Sequence, residues 1–174
     1  MSYGLQIQDM HYASQIGLLC KKKGLTVCTA ESCTAGRLAS ALTLMSGSSE
    51  WFKAGIVAYT EEMKEKLLGV PMSLIIEQGV VSAEVARAMA LKVCHVVGAD
   101  VGIAATGFAG PSGGTDKSPV GTVWMSVALK KESGAIQELE TYKIFAPGTR
   151  DQITTFAVSH ILFRTFTSLS KVLG

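Results

Sequence analysis

The sequence is poor in charge, and what charge it has is not concentrated. Charged residues make up 17% of the chain, against about 25% in an average globular domain. The 16 Lys and Arg are scattered among 14 acids for a net +2, which excludes the dense basic footprint expected of a nucleic-acid-binding protein. The one basic run, Lys21-Lys22-Lys23, falls where a helix should end and suits the negative pole of its dipole. No stretch reaches 18 uninterrupted apolar residues, so no membrane span is expected. The N-terminal MSYGLQIQDM lacks the basic and apolar regions of a secretory signal. Cys20, Cys28, Cys33 and Cys94 show no CxxC spacing, and a chain this long needs no disulfide staples. They are read as reduced thiols of a cytoplasmic protein. His11, His95 and His160 lie in helical patterns without ligand spacing, and Asp100 and Asp116 are isolated, so no metal site is expected.

What is abundant is apolar surface and glycine. A hydrophobic content of 48% over 174 residues supports one well-packed core, and residues 1–174 are read as a single domain. The 18 glycines exceed the average share of about 7% and imply several shaped loops.

Helical and extended patterns alternate. A helix is expected from Asp9 to about Lys22, a strand over Leu25 to Ala30, and a helix starting near Cys33 or Thr34 and running to Met45. A buried strand is expected within Trp51 to Tyr59. A helix should follow, capped by Thr60 and ended by Gly69, and then a short one from Pro71 to about Glu77. Ser82 starts the next helix, whose apolar face runs from Val85 to Val97. Asp100 to Thr106 reads as a buried strand. Gly121–Lys130 and Leu139–Phe145 form a hairpin about Glu132-Ser133-Gly134, and a last helix runs from Thr149 or Arg150 to Lys171. The fold class is α/β: a single layered domain with a mixed, partly parallel sheet flanked by helices.

The stretch TVCTAESCTAG, Thr26 to Gly36, places an acid, a hydroxyl and a thiol where a strand gives way to a helix. Free N–H groups at a helix start favour developing negative charge, which a serine nucleophile needs for its oxyanion. Ser32 therefore reads either as a nucleophile or as an ordinary helix cap. Cys33 reads as a thiol activated by the same helix terminus or as a small packing residue; no histidine is placed to serve it as a base. Lysine can activate Ser32 if it is neutral. That requires lowering its pKa by about three units, or about 4 kcal/mol, through burial. In TEEMKEKLLG the candidates are Lys64 and Lys66. Lys64 follows Tyr59 by five residues, so one helical turn can fold its amine back toward the Tyr59 phenol. The plainer alternative is a solvated helix face of Glu61, Glu62, Lys64, Glu65 and Lys66.

The loop GFAGPSGGTDKSP has glycines at 107, 110, 113 and 114, which allow close ligand approach or simply a tight turn. It matches neither the P-loop nor the GxGxxG pattern. Arg150 can hold a phosphate through its planar fork of donors or can act as a surface residue.

Taken in order, TAESCTAG (29–36), AYTEEMKEKLLGV (58–70), GVVSAEVARAMA (79–90), ATGFAGPSGGT (105–115), PVGTVWMSVA (119–128) and the F-x-P-G-x-R ending at Arg150 resemble the CinA C-terminal domain family, the PncC-like nicotinamide-nucleotide amidohydrolases. The resemblance covers nearly the whole chain. It implies hydrolysis of the carboxamide of nicotinamide mononucleotide to nicotinate mononucleotide and ammonia. It implies Ser32 as nucleophile, with Tyr59 and Lys64 as its partners. Thr106 and Gly107 match a loop implicated in ligand contact. Substrate contact is expected of Glu31, Cys33, Thr34, Thr106, Gly107, Gly110, Gly113 and Arg150. Three positions depart from the family pattern: Ala35 stands for a glycine, Thr154 for a second arginine, and Phe108 for a smaller aliphatic residue. A noncatalytic nucleotide-binding regulator and an amidase for another small amide are the alternatives. The expected ligand is a pyridine nucleotide, with no cofactor, nucleic acid or membrane partner, and the chain is expected to form a homo-oligomer, a dimer.

Overall fold

A computed structural model describes residues 7–174; most of the N-terminal stretch read above for a targeting signal lies outside them. The chain builds one five-stranded sheet in the order β2-β1-β3-β4-β5. The strands are β1 (Val27–Glu31), β2 (Phe52–Val57), β3 (Val101–Gly107), β4 (Thr122–Lys130) and β5 (Ile136–Phe145). β1 is parallel to both β2 and β3, while β4 and β5 continue the sheet antiparallel. The mixed sheet of the sequence reading is thus present: early crossovers give parallel strands and the late hairpin an antiparallel pair.

Six α-helices flank it among the described residues: α1 (Ile7–Lys23), α2 (Arg37–Thr43), α3 (Glu61–Leu68), α4 (Met72–Gln78), α5 (Ala83–Val97) and α6 (Arg150–Leu173). One sheet face packs against α1, α2 and α6 through Ile16, Leu38, Leu42, Ile103, Met125, Ile161 and Leu162. The other packs against α3, α4 and α5 through Leu68, Ile75, Val85, Met89, Val93 and Ala104. Strand periodicity explains the split, because alternate residues of β3 face opposite layers: Ile103 joins the first core and Ala104 the second. α5 lies so close to β3 that a Cβ at Gly102 would collide with the Ala90 carbonyl, which is why that strand position takes glycine.

The local signals are realised as hydrogen bonds. Thr60 caps α3 by accepting from the Met63 N–H at 3.2 Å, and Gly69 ends it at φ 72°. Ser82 caps α5 through the Val85 N–H, without a reciprocal acid. Thr149 and Gln152 form a full capping box at the start of α6, a signal plain in the spacing Thr149-x-x-Gln152 that the sequence reading passed over.

Two expectations are corrected. The helix expected to begin at Cys33 or Thr34 begins at Arg37, because Ala35 (φ 50°) and Gly36 (φ 90°) occupy the left-handed region and no helix passes through it. The segment 32–36 is a turn. The strand expected to be buried, β2, alternates between half-buried and exposed positions because it lies at the sheet edge.

Candidate active site

β1, β2 and β3 all point their carboxyl ends to one side, and the chain leaves β1 toward β2 on one flank while β3 lies on the other. Loops at such a switch point diverge and leave a crevice. A cleft of about 340 Å³ opens there, with Ser32 and Cys33 after β1, Tyr59, Thr60, Glu61 and Lys64 after β2, and Thr106 to Gly110 after β3 along its walls. Val80, Val81, Ser112 and Arg150 complete it.

Lys64 lies within α3, and helix side chains lean toward the N-terminus. Its stem therefore runs back over the first turn, and its amine meets the carbonyl oxygens of Ala58 and Tyr59 at 3.0 and 3.3 Å. The third neighbour is the Ser32 hydroxyl, at 3.0 Å. Lys64 is 0% exposed, the largest fully buried side chain among the described residues. Lys66, two residues on, is 63% exposed and paired with Glu62 at 2.6 Å, so the solvated-face reading holds for Lys66 and fails for Lys64. Burial lowers the Lys64 pKa from 10.5 to about 8, against smaller upward pulls from Cys33 and Glu61. In the neutral state its two N–H donors match the two carbonyls, and its lone pair is left for the Ser32 proton.

Ser32 is itself buried; its N–H donates to the Ala105 carbonyl of β3 at 3.0 Å, and its hydroxyl lies 3.4 Å from the Tyr59 carbonyl. In the turn that follows, the Ala35 N–H returns to the Ser32 carbonyl, while among the described residues no backbone carbonyl takes the N–H of Cys33 or Thr34. The Cys33 thiol is buried, and that burial pushes its pKa up to about 12. It is a protonated packing group at neutral pH, not an activated sulfur.

The other residues fall into two groups. Thr106, Gly107, Gly110 and Arg150 line the cleft; Glu31, Thr34 and Gly113 do not. The Glu31 carboxylate is fully buried and accepts from the N–H groups of Gly36, Leu38 and Ala39 at 2.9, 3.1 and 2.8 Å. It caps α2 from the end of β1 and so fixes the turn that carries Ser32. Among the described residues the Thr34 hydroxyl is buried without a partner. Thr106 donates to the Val80 carbonyl at 2.8 Å, bracing the start of α5 against β3. The Tyr59 phenol does not meet the Lys64 amine as expected. It is half-exposed and accepts from the Arg150 guanidinium at 3.1 Å, while it is the Tyr59 backbone that touches Lys64. Sequence reasoning missed Glu61, Val80 and Val81 as cleft residues. Glu61 sits close to Tyr59 in an evidently solvated run, and nothing in the order of residues signals that Val80 meets Thr106 near the end of β3.

Thr154, where a second arginine was expected, is buried and accepts from Arg37 at 2.8 Å, and the same guanidinium pairs with Asp151 at 2.6 Å. Arg37 thereby ties the start of α2 to the start of α6.

A larger hollow of about 530 Å³ lies between α1 and α6, lined by Tyr12, Phe156, His160 and Phe163 among others. The serine–lysine contact lies in the smaller cleft.

Fold and site define a class: an α/β domain holding a buried serine–lysine pair at the carboxyl ends of its parallel strands. Residues 9–169 match the profile of the CinA C-terminal domain, and the chain belongs to that family. A CinA-like protein of Geobacter sulfurreducens is 49% identical over 140 residues, covering 80% of this chain and 32% of that relative. The chain thus spans about a third of the length of the CinA-like and competence-damage relatives it matches. A protein of Enterobacter agglomerans named nicotinamide-nucleotide amidohydrolase PncC is 48% identical over 116 residues, 67% of this chain and 71% of its own. The crystal structure of the competence/damage inducible protein CihA from Agrobacterium tumefaciens is similar with a TM-score of 0.86, at 32% identity, over 97% of this chain and 99% of that one.

Proposed function

We propose that the protein hydrolyses the carboxamide of nicotinamide mononucleotide, releasing nicotinate mononucleotide and ammonia. The observation that carries this reading is the 3.0 Å contact between the Ser32 hydroxyl and a fully buried Lys64 amine. A hydroxyl becomes a useful nucleophile when an adjacent base takes its proton. The named activity of the Enterobacter agglomerans relative supports the choice of amide.

In the proposed reaction the Ser32 oxygen bonds to the carboxamide carbon while its proton passes to the neutral Lys64 amine. The resulting oxyanion is held by the Cys33 and Thr34 N–H groups of the same turn. The C–N bond then breaks, the Lys64 ammonium gives its proton to the departing nitrogen, and ammonia leaves a nicotinoyl ester on Ser32. Water attacks the ester, giving one proton to Lys64. The acyl–oxygen bond to Ser32 breaks as Lys64 passes that proton back to the Ser32 oxygen, and the acid leaves as a carboxylate, its remaining proton going to solvent or the released ammonia. Tyr59 contributes twice: its carbonyl orients the amine, and its phenol steadies Arg150, which takes the substrate phosphate. A coupled ammonia assay on nicotinamide mononucleotide tests the proposal. Tight nucleotide binding with no ammonia from any amidated pyridine ligand would show a binding protein instead.

A further inference from the structure

Two charged groups that line the cleft stand outside any salt bridge among the described residues. Glu61 forms no salt bridge among the described residues, although its neighbour Glu62 pairs with Lys66. Arg150 also forms none among them; its guanidinium donates to the Tyr59 phenol. An acid and a guanidinium in one small cleft, neither held in a salt bridge there, match a ligand that carries both charges. Phe108 lines the same cleft and is the one phenylalanine among its lining residues. The loop folds over this ring so closely that a Cβ on Gly113 would lie 3.3 Å from it, which holds the ring in place.

From this arrangement we infer that the cleft recognises the positive charge of the ligand's ring, with Glu61 and Phe108 as the specificity-determining residues. This rests on the function proposed above and adds to it that an N-substituted pyridinium is preferred over a neutral ring bearing the same carboxamide. The carboxylate attracts the cation, and the aromatic face of Phe108 favours it over a neutral ring. Arg150 holds the phosphate at the other end, so the ligand binds in one orientation with its amide toward Ser32.

Binding is measured by calorimetry on the Ser32→Ala protein, which cannot turn its ligand over. The two probes are nicotinamide mononucleotide and the 5′-monophosphate of benzamide riboside, whose ring has the same shape and amide but no charge. The cationic ligand should bind at least about tenfold more tightly. Adding Glu61→Gln should remove most of that preference by weakening the cation about 5- to 10-fold and leaving the neutral ligand within twofold. Phe108→Leu should weaken the cation about 3- to 10-fold and the neutral ligand less, in line with the range of cation–π contacts. Equal affinity of the two ligands, or equal weakening of both by Glu61→Gln, overturns the inference while leaving the amidase reading intact. Failure of both ligands to bind a folded protein overturns both.

Discussion

The Lys64 amine and the Ser32 hydroxyl stand 3.0 Å apart although 32 residues separate them in the chain. Ser32 extends from β1 and Lys64 belongs to a helix that follows β2, and the parallel pairing of these strands, with Glu31 opposite Val57, brings the two segments level. Both groups are buried, so water does not solvate the ammonium and the amine is biased toward its neutral form.

Ser32→Ala should abolish ammonia release, by at least about a thousandfold, as loss of a covalent nucleophile does, with an unchanged circular dichroism spectrum. Cys33→Ala should keep activity within a few-fold, because burial keeps that thiol protonated. The reverse result would move the nucleophile to sulfur.

Lys64 sets the pH dependence. Ammonia release at limiting substrate should rise with pH and level off above about 8, where the amine is neutral. Stability should rise as well. Between about 8 and 10.5 the unfolded chain keeps a proton that the folded chain has released, so the unfolded state binds more protons and raising the pH favours folding. The full effect is on the order of 3 kcal/mol. Lys64→Met should remove both the activity and the stability slope, measured by denaturant titration at pH 7, 8.5 and 10. Lys64→Arg should be inactive because its guanidinium stays charged. A rate that is flat from pH 6 to 10 in the wild type would end the lysine-base mechanism.

Arg150→Ala should raise KM for nicotinamide mononucleotide about 10- to 100-fold, the range for a lost hydrogen bond to a charged group. It should leave the rate on nicotinamide riboside, which lacks the phosphate, nearly unchanged. Arg150→Lys should recover part of the affinity. Equal losses on both substrates would assign Arg150 to the scaffold.

Ala35 is the one non-glycine residue with positive φ among those described, at 50°. The left-handed region costs such a residue about 1 to 2 kcal/mol, partly offset by the smaller entropy it loses on folding compared with glycine. Ala35→Gly should therefore stabilise the protein by up to about 1 kcal/mol, read as a higher urea midpoint at constant slope. A lower midpoint would show that the turn carries no strain.

The sequence by itself determined the local elements and the family. Thr60 and Gly69 bound α3, Ser82 starts α5, and the apolar periodicities mark the helices and the interior strands, because capping and amphipathicity depend on residues only a few places apart. The tertiary structure decided which of these residues come together and which are buried. Lys64 and Lys66 sit in the same run of acids and lysines; the spacing from Tyr59 points to Lys64, but it is the packing of α3 that buries one and leaves the other in water. Glu31 reads as a candidate ligand contact until the path of the turn brings three N–H groups onto its carboxylate. The Tyr59 phenol turns to Arg150, 91 residues away. Burial, and with it the pKa of an amine, depends on contacts between segments distant in the chain, and no local pattern encodes those.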